Sequence, residues 1–272
     1  MTDSSPAGES GQLGVGGGAR ATDWDAKSYH RIAGMQEAWG LKVLDRLPLA
    51  GDEAVLDAGC GSGRMTRHVL AAVPDGRVIG VDAAPSMIAH ARDELGDDPR
   101  LDLIVADLAE LELSEPVDAV FSNATFHWVP DHSRLFECLF AAMRPGGQME
   151  AQCGGQGNVA EWAQAVIAVS SEDPYEPCLR GLELPWNFAG LDETERNLER
   201  AGFEVERLSL DPVDEQPPDP AECIRASGLN AHLERLPDEG LRRRFTDAVT
   251  ASISQPLVLR YVRLNISARR PG

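Results

Sequence analysis

Positive charge is the scarcest ingredient of this 272-residue chain: 25 Lys and Arg stand against 44 Asp and Glu, a formal net charge of −19. A surface that acidic repels nucleic-acid phosphates, so no nucleic-acid partner is expected. A small anionic substrate is not excluded, because a buried pocket can be locally positive. The one basic cluster, Arg242-Arg243-Arg244, reads as a solvated helix face. Cysteine is sparse as well. The five residues at 60, 138, 153, 178 and 223 are odd in number and form no Cys-x-x-Cys, which suits free thiols in a reducing cytoplasm. Six scattered histidines offer no zinc-ligand spacing, so no metal is expected. No apolar run approaches the length of a membrane span, and the N-terminus has no basic region followed by an apolar block. The expectation is a cytoplasmic protein with neither membrane contact nor signal peptide.

What is there organises the chain. Residues 1–20 are rich in Gly, Ser and Ala with few apolar anchors and read as a disordered tail, leaving 21–272 as a single domain. Ile32, Met35, Trp39, Val43 and Leu47 recur at a near-helical period that ends at Pro48. Strand and helix then alternate, the pattern of a parallel sheet. Strands are expected at 55–56, 77–81, 101–105, 117–121 and 148–152, with Pro145-Gly146-Gly147 turning the chain into the last of these. Helices fall between them, one starting at Pro85 and one capped by Asp131. Further on come helices near 159–169 and 191–201, a strand at 203–210, a Pro-rich loop at 212–220, and helix over 221–249 broken at Pro237. The final strand, 257–268, alternates as an antiparallel strand does. The proline-interrupted segments at about 170–190 and 212–255 are the natural material for a small, mainly helical cap over a substrate.

The densest information lies in Val55-Leu56-Asp57-Ala58-Gly59-Cys60-Gly61-Ser62-Gly63. An apolar strand ends in an acid, and alternating glycines then let the backbone turn and expose bare amides to a ligand. The Gly-x-Gly-x-Gly spacing is one residue tighter than the Gly-x-Gly-x-x-Gly of a dinucleotide site, and Asp57 would repel a pyrophosphate. Both features disfavour NAD and favour a ligand with a cationic group. Asp82 closes the next strand, Asp107 the third and Asn123 the fourth, so the candidates share the carboxyl edge of the sheet, where open α/β folds bind ligands.

Together with Asp82, this stretch resembles the first motif of the class I S-adenosylmethionine-dependent methyltransferases. The resemblance implies an α/β, Rossmann-like, seven-stranded and mostly parallel sheet with helices on both faces and the last strand antiparallel. It also implies S-adenosyl-L-methionine as the cofactor. Asp57, Gly59, Cys60 and Gly61 would then follow its methionine part, Asp82 and Ala83 its ribose, and Ala106, Asp107 and Leu108 its adenine. Met87 would pack on the other adenine face, Asn123 would meet the ammonium group, and Tyr29 would close over the cofactor or anchor the first helix.

After the fourth strand, Asn123-Ala124-Thr125-Phe126-His127-Trp128 is similar to a stretch in the trans-aconitate, juvenile hormone acid and malonyl-acyl-carrier-protein methyltransferases, all of which methylate a carboxylate oxygen. Tyr29 followed seven residues later by Gln36 has the spacing of the last two; Asp23-Trp24-Asp25 looks more like the first. The resemblance covers most of 22–152 and implies Gln36 and Trp128 as the residues that grip an acceptor carboxylate. Such an acceptor is already ionised at neutral pH and needs no base. Neutral donors in a dry, aromatic pocket would serve it better than lysine clamps. His127 is then either a pocket wall or, for a hydroxyl or carbon acid on a natural-product scaffold, the general base. A non-catalytic module that only binds the cofactor is the alternative outside the enzymes. His68, His90 and His232 read as helix-surface residues.

Overall fold

The computed structural model describes residues 34–216, 224, 225, 228–254 and 257–272. The N-terminal tail, Trp24, Tyr29 and the segment 217–223 lie outside the described residues. Seven strands form one sheet in the order β3-β2-β1-β4-β5-β7-β6: β1 Ala54–Ala58, β2 Arg77–Asp82, β3 Leu101–Val105, β4 Val117–Asn123, β5 Met143–Gly154, β6 Glu204–Glu215 and β7 Leu259–Arg269. β7 runs antiparallel to both β5 and β6, and the first five strands pair in parallel. All five residues of β1 are buried, as a central parallel strand covered on both faces requires.

The helices are α1 Gly34–Leu44, α2 Arg64–Ala72, α3 Pro85–Leu95, α4 His132–Ala142, α5 Ala160–Ser170, α6 Glu176–Leu179, α7 Leu191–Ala201, α8 Asn230–Arg235 and α9 Glu239–Ala251. On one face of the sheet α1, the turn after it and α2 bury Val43, Leu47, Met65 and Val69 against Val55 and Phe121. On the other, α4 and α7 bury Leu135, Phe136, Leu139 and Leu198 against Leu56, Val120 and Met149. Asp131 caps α4 by accepting the Arg134 N–H at 3.0 Å, as its sequence position predicts. A third apolar cluster gathers Trp162 and Val166 of α5, Tyr175, Leu179 of α6, Leu241 and Phe245 of α9, and Leu259 at the start of β7.

Three local expectations give way. Pro145-Gly146-Gly147 does not precede β5 but lies inside it as a wide bulge. Val117 pairs with Met143 while Ala119 pairs with Gln148, and Gly146 takes a φ of 83° to make the excursion. The bulge keeps its backbone bonds, because the Gly146 N–H donates to the Arg270 carbonyl and the Arg270 N–H to that of Gly147, both at 2.9 Å. Pro212 does not end β6, which continues to Glu215; β6 is an edge strand, where one row of N–H groups needs no ladder partner. His232 is not on the surface. It is buried beneath α9, its ring stacked on Phe245 at 5.9 Å, and burial with the nearby Arg235 charge lowers its pKa to about 4.

Candidate active site

The strand order reverses between β1 and β4, so their carboxyl ends diverge and leave a crevice at the switch point. The loop that follows β1 lines it. The N–H groups of Gly59 and Cys60 donate to the Val81 carbonyl at 2.8 and 2.9 Å, which folds the glycine turn back onto β2. Gly59 has a φ of 85°, and a side chain there would meet Thr125 at 2.1 Å. Gly61 has a φ of 53°, and nothing lies within 4 Å of where its Cβ would stand. The space over Gly61 is therefore open to a ligand that approaches the backbone itself.

Two carboxylates sit beneath this turn. Asp82 accepts the Gly61 N–H at 3.0 Å on one oxygen and the Ala84 N–H at 2.9 Å on the other. Burial raises its pKa against the pull of those two bonds. Asp57 is 1% exposed and accepts the Thr66 hydroxyl at 2.7 Å. Burial pushes its pKa up to about 7, and the charge of Asp82 pushes the same way. The Cys60 thiol is driven well above its ordinary value, by burial first and then by these two carboxylates.

At the end of β4, the Asn123 amide nitrogen donates to the Gln36 carbonyl at 2.9 Å, joining α1 to the crevice. Its oxygen, Oδ1, is buried and has no hydrogen-bond partner among the described residues. A buried orphan acceptor at a strand end fits a ligand ammonium group. Together with the open cradle over Gly61, it makes the crevice suitable for a cationic amino-acid nucleoside. The remaining predicted positions flank the same edge. Met87 is buried, Ala83 is exposed, Ala106 is half-buried, and Asp107 is exposed and caps the short 3-10 turn Leu108–Glu110 by accepting the Ala109 N–H at 2.9 Å. Leu108 turns its side chain into the central core, so only its backbone faces outward.

Beside the crevice lies a second cavity, about 470 Å³ of empty space with its open mouth included. Gln36, His127 and Trp128 all line it, so the structure brings the three acceptor-side candidates together. Ala124, in the left-handed region at φ 60°, turns β4 into the 3-10 turn Phe126–Trp128 that presents the last two. The Gly154 N–H donates to His127 Nδ1 at 3.2 Å, which leaves the neutral ring's proton on Nε2. Burial, then the charge of Arg263, then that of His132 lower the His127 pKa to about 3.

Sequence reasoning missed the rest of this cavity. Trp162, Trp186, Phe188, Tyr261 and Arg263 complete it. Trp186 stacks on Phe188 at 5.4 Å and meets Trp162 edge-on at 5.3 Å. His127 lies 5.7 Å from Phe188, and the Asn187 N–H donates to the His127 carbonyl at 2.8 Å, pinning that segment to the turn. Arg263 is 4% exposed, donates from Nε to Gln152 Oε1 at 3.1 Å, and sets its guanidinium 4.5 Å from the centre of the Trp39 ring. The acceptor cavity thus contains a cation where neutral donors alone were expected. The sequence signal for these residues was slight: Trp186 and Phe188 spaced two apart behind Pro185, while Arg263 is one of three arginines in the final strand.

The sheet order, the glycine turn and the acids at successive strand ends are those of a class I S-adenosylmethionine-dependent methyltransferase, and residues 55–147 match the methyltransferase domain family. Among individual relatives, the chain is similar to a trans-aconitate 2-methyltransferase of Methylobacterium radiotolerans, 29% identical over 244 residues, covering 85% of this chain and 89% of that one. A second, from Methylobacterium nodulans, is 36% identical over 130 residues, spanning 48% of this chain and about half, 49%, of that protein's length. The fold is shared with a geranyl diphosphate C-methyltransferase from Streptomyces coelicolor A3(2) in complex with S-adenosyl-L-homocysteine, at a TM-score of 0.55 and 18% identity over 93% of this chain and 88% of that one.

Proposed function

We propose that the chain transfers the methyl group of S-adenosylmethionine to a carboxylate oxygen of a small molecule. The observation that carries this reading is Arg263, a buried guanidinium opening on an aromatic cavity beside the cofactor crevice. A planar fork of donors matches a carboxylate, and the low dielectric of the cavity strengthens the pair. The trans-aconitate relatives support the same acceptor chemistry.

The bound cofactor supplies an electrophilic methyl carbon on a positively charged sulfur. A carboxylate oxygen could take that methyl group, the carbon–sulfur electron pair staying on sulfur, and no proton would have to move. The protein therefore has to position and desolvate. Arg263 holds the anion, Gln36 and Trp128 orient it, and the walls of Trp186 and Phe188 exclude water. Asn123 Oδ1 and Asp57 favour the cationic end of the cofactor, while Asp82 takes its ribose hydroxyls.

His127 is a wall and a neutral donor in this scheme. A general base needs an available lone pair and a pKa near the working pH. The Nδ1 lone pair of His127 already accepts the Gly154 N–H, Nε2 carries the proton, and the pKa lies near 3. These features disfavour the alternative of a hydroxyl or carbon acceptor deprotonated by His127.

Incubation with methyl-labelled S-adenosylmethionine and a set of carboxylic acids is expected to give a base-labile methyl ester. Its kcat at saturating cofactor should be flat between about pH 6 and 9, because the acceptor is ionised throughout. A base-stable product, or a rate that falls as a histidine protonates, would refute the reading. For the cofactor side, Asp82→Ala should weaken S-adenosylmethionine binding at least about tenfold in calorimetry, since it removes acceptors for both the ribose and the glycine turn. An unchanged affinity would take Asp82 out of the site.

A further inference from the structure

We infer that the preferred acceptor is a monocarboxylate on a flat, largely apolar body, with a neutral hydrogen-bond acceptor elsewhere on that body, and not a polycarboxylate. This deepens the carboxyl-methylation reading and rests on it. Two observations carry it. First, Arg263 is the one charged side chain among the described residues that line the cavity, since His127 is neutral. One guanidinium can match one carboxylate. A second or third carboxylate would be taken out of water against Trp128, Trp186, Phe188 and Tyr261, with no further cation among the described lining residues to offset the lost hydration.

Second, the aromatic lining suits a ring with a polar tip. Trp186 and Phe188 lie stacked, their planes 19° apart, and together present a flat apolar face. Trp162 stands edge-on to Trp186 with its ring 65° from that plane. Its indole Nε1 is buried and has no hydrogen-bond partner among the described residues. A buried N–H left unpaired costs stability, and in native proteins such a group is usually kept for something outside the chain. The residue lines the acceptor cavity, so a ligand oxygen is the natural recipient of that N–H. The cavity then reads an acid twice: Arg263 takes its carboxylate, and the Trp162 N–H donates to a neutral acceptor elsewhere on its flat body.

The test compares trans-aconitate, cinnamate and 4-acetylcinnamate as acceptors, each scored by formation of base-labile methyl ester. For the native chain, kcat/KM for both cinnamates should exceed that for trans-aconitate by about a hundredfold, and the ketone should favour 4-acetylcinnamate over cinnamate by about tenfold. Trp162→Phe keeps the ring but removes the N–H, and should collapse that second ratio to about one. Because the readout is a ratio within one variant, a general loss of folded protein does not move it. Ester formed best from trans-aconitate, or a ratio that Trp162→Phe leaves intact, overturns the inference while carboxyl methylation stands. No ester from any acid overturns both.

Discussion

Arg263→Gln is expected to lower kcat/KM for carboxylic acids by more than about a hundredfold, because truncating one partner of a buried charge pair costs roughly 3 kcal/mol or more. The cofactor should bind as before, to within about twofold, since the acids and amides of the crevice are untouched. The split between the two affinities is the informative result. If Arg263 only braced β7 against β5 through Gln152, its loss would loosen the sheet, and cofactor binding and turnover would fall together. Arg263→Lys gives the third reading. It keeps the charge and loses the two-pronged geometry, so an intermediate rate with a raised KM is expected for a carboxylate held by the fork. Titration calorimetry for the cofactor and initial rates for the acid check all three, with thermal unfolding to confirm that each variant is folded. Equal losses in cofactor affinity and kcat/KM would remove Arg263 from the acceptor site.

The unequal legibility of the two halves of the site has a physical cause. The cofactor crevice is assembled by one stretch, 57–123, in which each strand end delivers one side chain to a common edge. Parallel β-α-β units put successive carboxyl ends on the same side, so Asp57, Asp82, Asp107 and Asn123 could be placed from their positions alone. The acceptor cavity has no such local rule. Its residues come from α1, the turn after β4, α5, the Pro-flanked segment 184–188 and β7, and Gln36 and Arg263 meet only because β7 inserts between β5 and β6. That insertion is a long-range pairing with no signature in any short window. His127 shows the limit at a single residue. Its sequence position favoured a wall but left a base open, and the Gly154 N–H and the Arg263 charge, both distant in sequence, are what weigh against the base. Pro212 and Gly146 show a milder form, in which an edge strand and a bulge absorb residues that read locally as strand ends.

Asp57 should make cofactor affinity depend on pH across a range where the acceptor does not titrate. Its carboxyl is enclosed, holds its proton up to about pH 7, and faces Thr66, Asp82 and Cys60. A cationic ligand favours the ionised form, so binding must release that proton at lower pH, and affinity rises as pH rises to about 7 and then levels off. Between pH 5.5 and 8 the gain should approach about thirtyfold, the ratio set by a carboxyl titrating near 7. The effect on folding has the opposite sign. The unfolded chain releases this proton near 3.8 and the folded chain near 7, so the contribution of Asp57 to stability is fully present below about 3.8 and is lost as pH rises through 7. Asp57→Asn removes both dependences. It should flatten the affinity profile at a low level, and its thermal midpoint should gain on the native chain as pH increases, while the Thr66 hydroxyl keeps an oxygen to donate to. Calorimetric titrations at three pH values and parallel unfolding scans measure the two trends. A pH-independent affinity for the native chain would mean that Asp57 is already ionised in the free protein and that its burial is balanced by charge at the crevice.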